Sequence, residues 1–176
     1  ALSVTEDNLK AMTAFIYKQG SETKQMFEHE LGLSLPTITQ NLRAMEADGL
    51  IVKGEMQQST GGRKAQIYEF AAHSSVAIGV RIQPTQISAI AIDLNGKSVA
   101  TRQRTLPYRN NDAYYQRMNG IINDFAQELA KQGSTVLGVA FCMQGIVSAD
   151  GQSITFGKIM GNTGLKLSEL SHSLNY

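Results

Sequence analysis

Two stretches of helical periodicity meet at Gly32-Leu33-Ser34, and this three-residue interruption limits the possible folds more than any other feature of the chain. Gly32 can take the left-handed backbone that ends a helix, and Ser34 can accept a hydrogen bond from the N–H groups that open the next one. Upstream, "TKQMFEHEL" predicts a short helix burying Phe27 and Leu31. Downstream, "LPTITQNLRAMEAD" predicts a longer one, with Pro36 in its first turn where a missing N–H costs nothing. An earlier helix is expected over "TEDNLKAMTAFIYKQG", capped by Thr5, stopped by Gly20 and carrying Leu9, Met12 and Ile16 on one face.

After Asp48, Gly49 stops the third helix, and "LIVK" and "AQIYEF" read as strands on either side of the polar loop "GEMQQSTGGRK". Helix, helix, turn, helix and hairpin is the order of a winged helix-turn-helix. At about 100° per residue, Leu35, Ile38, Leu42 and Met45 fall on the core side of the third helix. Pro36, Gln40, Arg43, Ala44 and Ala47 fall on the other, with Thr37 and Thr39 on the flanks. No acidic residue lies between Leu35 and Met45. Gln can pair bidentately with adenine and Arg with guanine, so this face suits a major groove as well as it suits plain solvation. Gly61 and Gly62 place Arg63 and Lys64 at a hairpin tip, where they can reach phosphates or a minor groove.

Past Phe70 the periodicity changes. "AAHSS" reads as a short linker, and period-two alternation predicts strands over 76–82, 86–94 and 97–105. "NNDAYYQRMNGIINDFAQELAKQG" predicts a helix with Met118, Ile121, Ile122, Phe125 and Leu129 on its apolar face. "TVLGVAFCM" predicts a fully buried strand from its unbroken apolar run, with Cys142 as a small buried hydrophobe. The expected division is residues 1–71 as one domain, 72–75 as linker and 76–176 as an α/β domain with a mixed sheet.

Charge and composition limit the function. Net charge is +1, yet residues 1–70 carry 7 Lys and Arg against 9 Asp and Glu, so any basic surface there is local. A single cysteine excludes a disulfide framework and a thiol metal cluster. No apolar run approaches the roughly 20 residues that cross a bilayer, and "ALSVTEDNLK" has no signal-peptide core. A cytoplasmic protein is expected. His29, His73 and His172 share no ligand-like spacing, and no metal or cofactor is expected.

These segments resemble the ROK family, which groups bacterial sugar-responsive repressors with sugar kinases. "GLSLPTITQNLRAMEADGLIVK" is similar to the helix-turn-helix of the family's regulators, and "GGRKAQIYEF" to their wing. "IGVRIQPTQISAIAIDLNG" stands where the family has a phosphate hairpin similar to "IGVDIGGTKI". Here Arg81 replaces the aspartate, Gln83 and Pro84 replace the glycines, and only Thr85 remains. A cation cannot act as an anionic metal ligand, and Pro84 removes a backbone donor, so nucleotide binding is not expected. "LGVAFCMQGIVSADGQSI" resembles the later strand and turn, with Gln144 in place of the usual proline before Gly145.

The resemblance implies a winged helix followed by an incomplete first lobe of an actin-like, ribonuclease-H-like domain. The family's catalytic aspartate and zinc site lie beyond "SLNY". No catalytic residue is expected here. The resemblance further implies a transcription regulator, acting as a repressor of sugar metabolism and binding double-stranded operator DNA as a homodimer, or as a monomer for a chain this short. Thr37, Gln40 and Arg43 would address bases, and Ser34, Thr39, Gly61, Gly62, Arg63 and Lys64 would position the backbone. Asn162 matches the asparagine that approaches a sugar effector in the family; a loop asparagine satisfying its own turn explains it equally well. Two other readings stay open: a sugar kinase with an appended helical domain, and a winged helix that binds protein.

Overall fold

Capping residues set the ends of the second and third helices. The computed structural model describes residues 4–57 and 64–176, and its chain divides after Ala72 into two compact units. Helix α1 (Val4–Gln19) begins before Thr5, which therefore lies inside the first turn; a capping residue must sit outside it, on extended backbone. Strand β1 (Ser21–Thr23) follows, and Thr23 caps α2 (Lys24–Leu31), its hydroxyl accepting from the Met26 N–H at 3.4 Å. Gly32 ends α2 with φ 63°, its N–H donating to the Glu28 carbonyl at 3.0 Å. Two residues later Ser34 caps α3 (Leu35–Ala47), accepting from the Thr37 N–H at 3.4 Å.

Strands β2 (Ile51–Met56) and β3 (Gln66–Phe70) complete this unit, in a three-stranded antiparallel sheet ordered β1-β3-β2. The core gathers Met12, Ile16, Phe27, Ile38, Leu42, Met45, Ile51 and Tyr68. Leu35 departs from expectation: it is 46% exposed, because the first residue of α3 lies one turn beyond Ile38, where this core begins. Asn41 is buried among these apolar residues, with its Nδ2 lacking a partner among the described residues.

The expected linker is ordered structure. Ala72–Ser74 forms a 3-10 turn, and Ser75 already belongs to β4 (Ser75–Ile82). The turn is held to the second unit because the Ser134 hydroxyl donates to the His73 carbonyl at 2.8 Å and His73 Nδ1 lies 3.0 Å from Asp93 Oδ2. Asp93 is itself buried, and its Oδ1 accepts from the N–H groups of Asn95 and Lys97 at 2.9 Å each.

In the second unit β4, β5 (Gln86–Asp93), β6 (Ser98–Thr105) and β7 (Thr135–Cys142) form a sheet ordered β6-β5-β4-β7. The β4–β5 and β5–β6 pairs are antiparallel, while β7 runs parallel to β4 after the crossover helix α4 (Asp112–Lys131). Met118, Ile122, Phe125 and Leu129 of α4 pack in one core with Val76, Ile78, Val80, Ile82, Ile87 and Ala91 of the sheet. Each of these side chains except the small Ala91 contributes roughly 1.5 to 3 kcal/mol by leaving water.

β7 is not the fully buried strand its apolar run predicts. It is a sheet edge among the described residues, Leu137 is 63% exposed, and Cys142 is exposed. An apolar run implies burial on both faces, but α4 packs against one face only. A small hairpin of β8 (Ile146–Val147) and β9 (Ile154–Phe156) and a short helix α5 (Leu167–Leu170) follow. The fully buried Asn119 of α4 fastens this segment, its Nδ2 donating to the Leu170 carbonyl and the Ser173 hydroxyl at 3.0 Å each.

Candidate nucleic-acid interface

α3 divides into two faces. Ile38, Asn41, Leu42 and Met45 are buried, whereas Pro36, Gln40, Arg43, Ala44 and Ala47 are exposed. Leu35, Pro36, Thr39, Gln40 and Arg43 line one shallow concavity. The side chains of Gln40 and Arg43 make no hydrogen bond or ion pair with any described residue, so their donors are available to a partner. Ala44 and Ala47 carry little bulk beside them.

The remaining polar residues of this end have internal work. The Ser34 and Thr37 hydroxyls lie 2.9 Å apart and share the cap of α3. Thr39 accepts from Lys24 Nζ at 3.2 Å. Lys24 was not among the residues expected from sequence; the signal available was its place directly after the capping Thr23. It brings a cation from α2 to the flank of α3, so the two helices share one positive edge. The acidic Glu46 on α3 is matched by Lys53 of β2 at 3.0 Å. Lys64 is exposed just before β3, while Gly61, Gly62 and Arg63 lie outside the described residues.

In the second unit the bend between β4 and β5 is closed on its own chain. The Gln83 N–H donates to the Gln86 carbonyl at 2.9 Å, and the carbonyls of Pro84 and Thr85 accept from Tyr108 and Leu106 at 2.9 and 3.0 Å. The bend presents carbonyls to its neighbours and, at Pro84, no N–H at all, which is the reverse of an anion cradle. Asn162 is fully buried; its Nδ2 donates to the Gln144 carbonyl at 3.2 Å, and its N–H to the Gly157 carbonyl at 3.0 Å. Its Oδ1 has no partner among the described residues. Asn162 therefore ties the 157–162 loop to the turn holding Gln144, and no described side chain of the α3 face belongs to its unit.

Tyr108, Tyr114 and Tyr115 pack edge to face, with ring centroids 5.0 and 5.6 Å apart. The Tyr115 hydroxyl donates to Asn110 Oδ1 at 2.7 Å and lies 3.0 Å from that of Tyr108. Burial raises all three phenols, and Tyr114 is pushed up to about 12 with Tyr108 adding to the effect. No group of three or more His, Cys, Asp or Glu able to hold a metal occurs among the described residues. No described helix is long and apolar enough to cross a membrane.

The ROK family model matches residues 77–175. The xylose repressor of Bacillus subtilis (strain 168) is 21% identical over 153 residues, covering 87% of this chain and 40% of that one. The DNA-binding transcriptional dual regulator NagC of Escherichia coli (strain K12) is 24% identical over 153 residues, covering 87% and 38%. A match of that length takes in both units, since the second holds only residues 73–176. This chain therefore spans about two fifths of the length of the curated relatives it matches. Among solved structures, a ROK family transcriptional regulator described as a homolog of the E. coli MLC protein superposes with a TM-score of 0.58 at 17% identity, over 96% of this chain and 42% of that one. With its second unit matched from Ala77 almost to its last residue, the chain belongs to the ROK family.

Proposed function

We propose that the first unit is a winged helix-turn-helix that reads operator DNA, and that the protein is a transcriptional repressor of sugar metabolism. The observation that carries this is the exposed, unpartnered pair Gln40 and Arg43 on α3, flanked by Lys24 and free of acidic neighbours on that face. Gln40 and Arg43 address base edges in the major groove, and Thr37 the base nearest the capped end. Lys24, Lys64 and the N-terminal turn of α3 hold the phosphate backbone, with Ser34, Thr39 and the Gly61-Gly62-Arg63 segment in supporting contact. The names of the relatives, a xylose repressor and a transcriptional dual regulator, support the regulatory role.

The second unit is the first lobe of an actin-like domain whose nucleotide chemistry has been lost. Arg81 and Pro84 supply neither the anionic ligand nor the donor that phosphate and metal need, so a kinase reading has no support in the bend. Binding of a sugar or sugar derivative to the complete domain shifts the population of DNA-competent homodimers. Fluorescence anisotropy on duplex DNA across a salt series tests the reader. Binding through phosphates requires affinity to fall steeply as salt rises, and Arg43→Ala must weaken it. Affinity that is flat in salt would move the function to protein binding through the same face.

A further inference from the structure

The outer side of α1 carries an apolar groove that the DNA reading does not use. Leu9, Lys10, Thr13, Ala14 and Tyr17 line it together with Leu50 and Phe70. Tyr17 is 51% exposed and stands edge to face with Phe70, ring centroids 5.4 Å apart. The Thr13 hydroxyl donates to the Leu9 carbonyl at 2.8 Å and is spent within α1, which leaves the Lys10 ammonium as the charged group of the lining. Thr13 and Ala14 are also small enough for a second helix to approach closely.

The charges around this groove have a two-fold character. Asp7 and Lys18 stand at opposite ends of α1, on the same flank of the groove and about 20° apart around the helix. Both are exposed, and neither has an ion-pair partner among the described residues. Their midpoint falls between Met12 and Thr13. Lys10 and Tyr17 form a second pair along the groove, with a midpoint between Thr13 and Ala14. The two midpoints differ by one residue, about 1.5 Å along the axis. One two-fold axis near Thr13 therefore satisfies both pairs: an antiparallel copy of α1 meets Asp7 with Lys18 of the partner subunit, and Lys10 with the aromatic face of the partner's Tyr17.

We propose that α1 is the homodimer contact of the first unit, and that its occupant is α1 of a second copy of this chain. The proposal deepens the homodimer of the proposed function and rests on that reading; its own test needs no DNA, so failure of the contact and failure of the reader are separable.

Sedimentation of the 176-residue chain over a micromolar concentration series gives the dimer constant. Asp7→Lys or Lys18→Asp alone turns two attractions into two repulsions, and each raises the dissociation constant about tenfold or more. The exchange D7K/K18D recovers to within about threefold of the parent. This recovery separates pairing from folding, because both swaps oppose the dipole of α1 and a purely structural effect would make the double variant the worst of the three. Ala14→Arg, which keeps a good helix former, abolishes the dimer with an unchanged circular dichroism spectrum. A chain that stays monomeric throughout, or a dimer indifferent to these charges, overturns the proposal. In the second case another surface, such as the exposed sheet face at Ile90 and Leu137, holds the copies together.

Discussion

Replacing Gly157 by alanine measures how rigidly Asn162 is held. The new Cβ would stand 1.8 Å from Asn162 Oδ1 and 3.1 Å from Ile154 Cγ2, and φ at Gly157 is not in the left-handed region. The cost is therefore steric. Asn162 is fully buried and cannot swing into solvent without leaving the Gln144 carbonyl bare. Overpacking of a close-packed interior costs about 1 to 3 kcal/mol, and the lost hydrogen bond about 1 more. Gly157→Ala should destabilise the second unit by about 2 to 4 kcal/mol. Hydrogen exchange of the α4 amides reads that unit alone, since Ile154, Met160 and Leu165 share a core with Ile122 and Phe125. Asn162→Ala should be costly by itself, but the double variant should be less destabilised than the sum, with a coupling of about 1 kcal/mol or more. A cost below about 0.5 kcal/mol for Gly157→Ala, or strict additivity, would refute the view that Asn162 is a buried strut.

Gln40→Ala should relax specificity at one base pair, costing about 1 to 3 kcal/mol against the preferred base; equal loss on all sequences in a competition assay would remove it from base reading. Lys24→Ala should weaken all duplexes alike and lower the salt slope by about one contact, whereas an unchanged slope would take α2 out of the interface. Folded-state phenol values raised above 10 mean that the tyrosine cluster contributes its stability fully below about pH 10. That contribution is lost as pH rises through the folded values, near 12 for Tyr114. Alkaline unfolding followed by tyrosinate absorbance should therefore be cooperative above pH 10, and Tyr114→Phe should reduce its steepness; an unchanged curve would contradict this.

The pair of helices α2 and α3 meeting at Gly32–Ser34 was legible because its determinants are local. Gly32, Ser34 and Pro36 act within one turn of their own position, and Ile38, Leu42 and Met45 repeat at the helical period. β1 was not, since Ser21-Glu22-Thr23 has no alternation of its own and becomes a strand by pairing with β3. The exposure of Cys142 and Leu137 follows from strand order, which a continuous apolar run cannot reveal. Tertiary packing likewise decides that Asn41, Asn119 and Asn162 are buried while Leu35 is not. Within the candidate site, the exposed face of α3 could be read from periodicity, but the bond from Lys24 to Thr39 joins residues 15 positions apart and needed the fold.

Selection of the purified chain against a random duplex library at near-physiological salt tests the central claim most directly. Sequence-specific reading by α3 requires an enriched motif, and a homodimer requires two half-sites in inverted repeat, about one helical turn or a multiple of it apart. A folded chain that enriches no sequence would contradict the assignment of Gln40 and Arg43 to base reading.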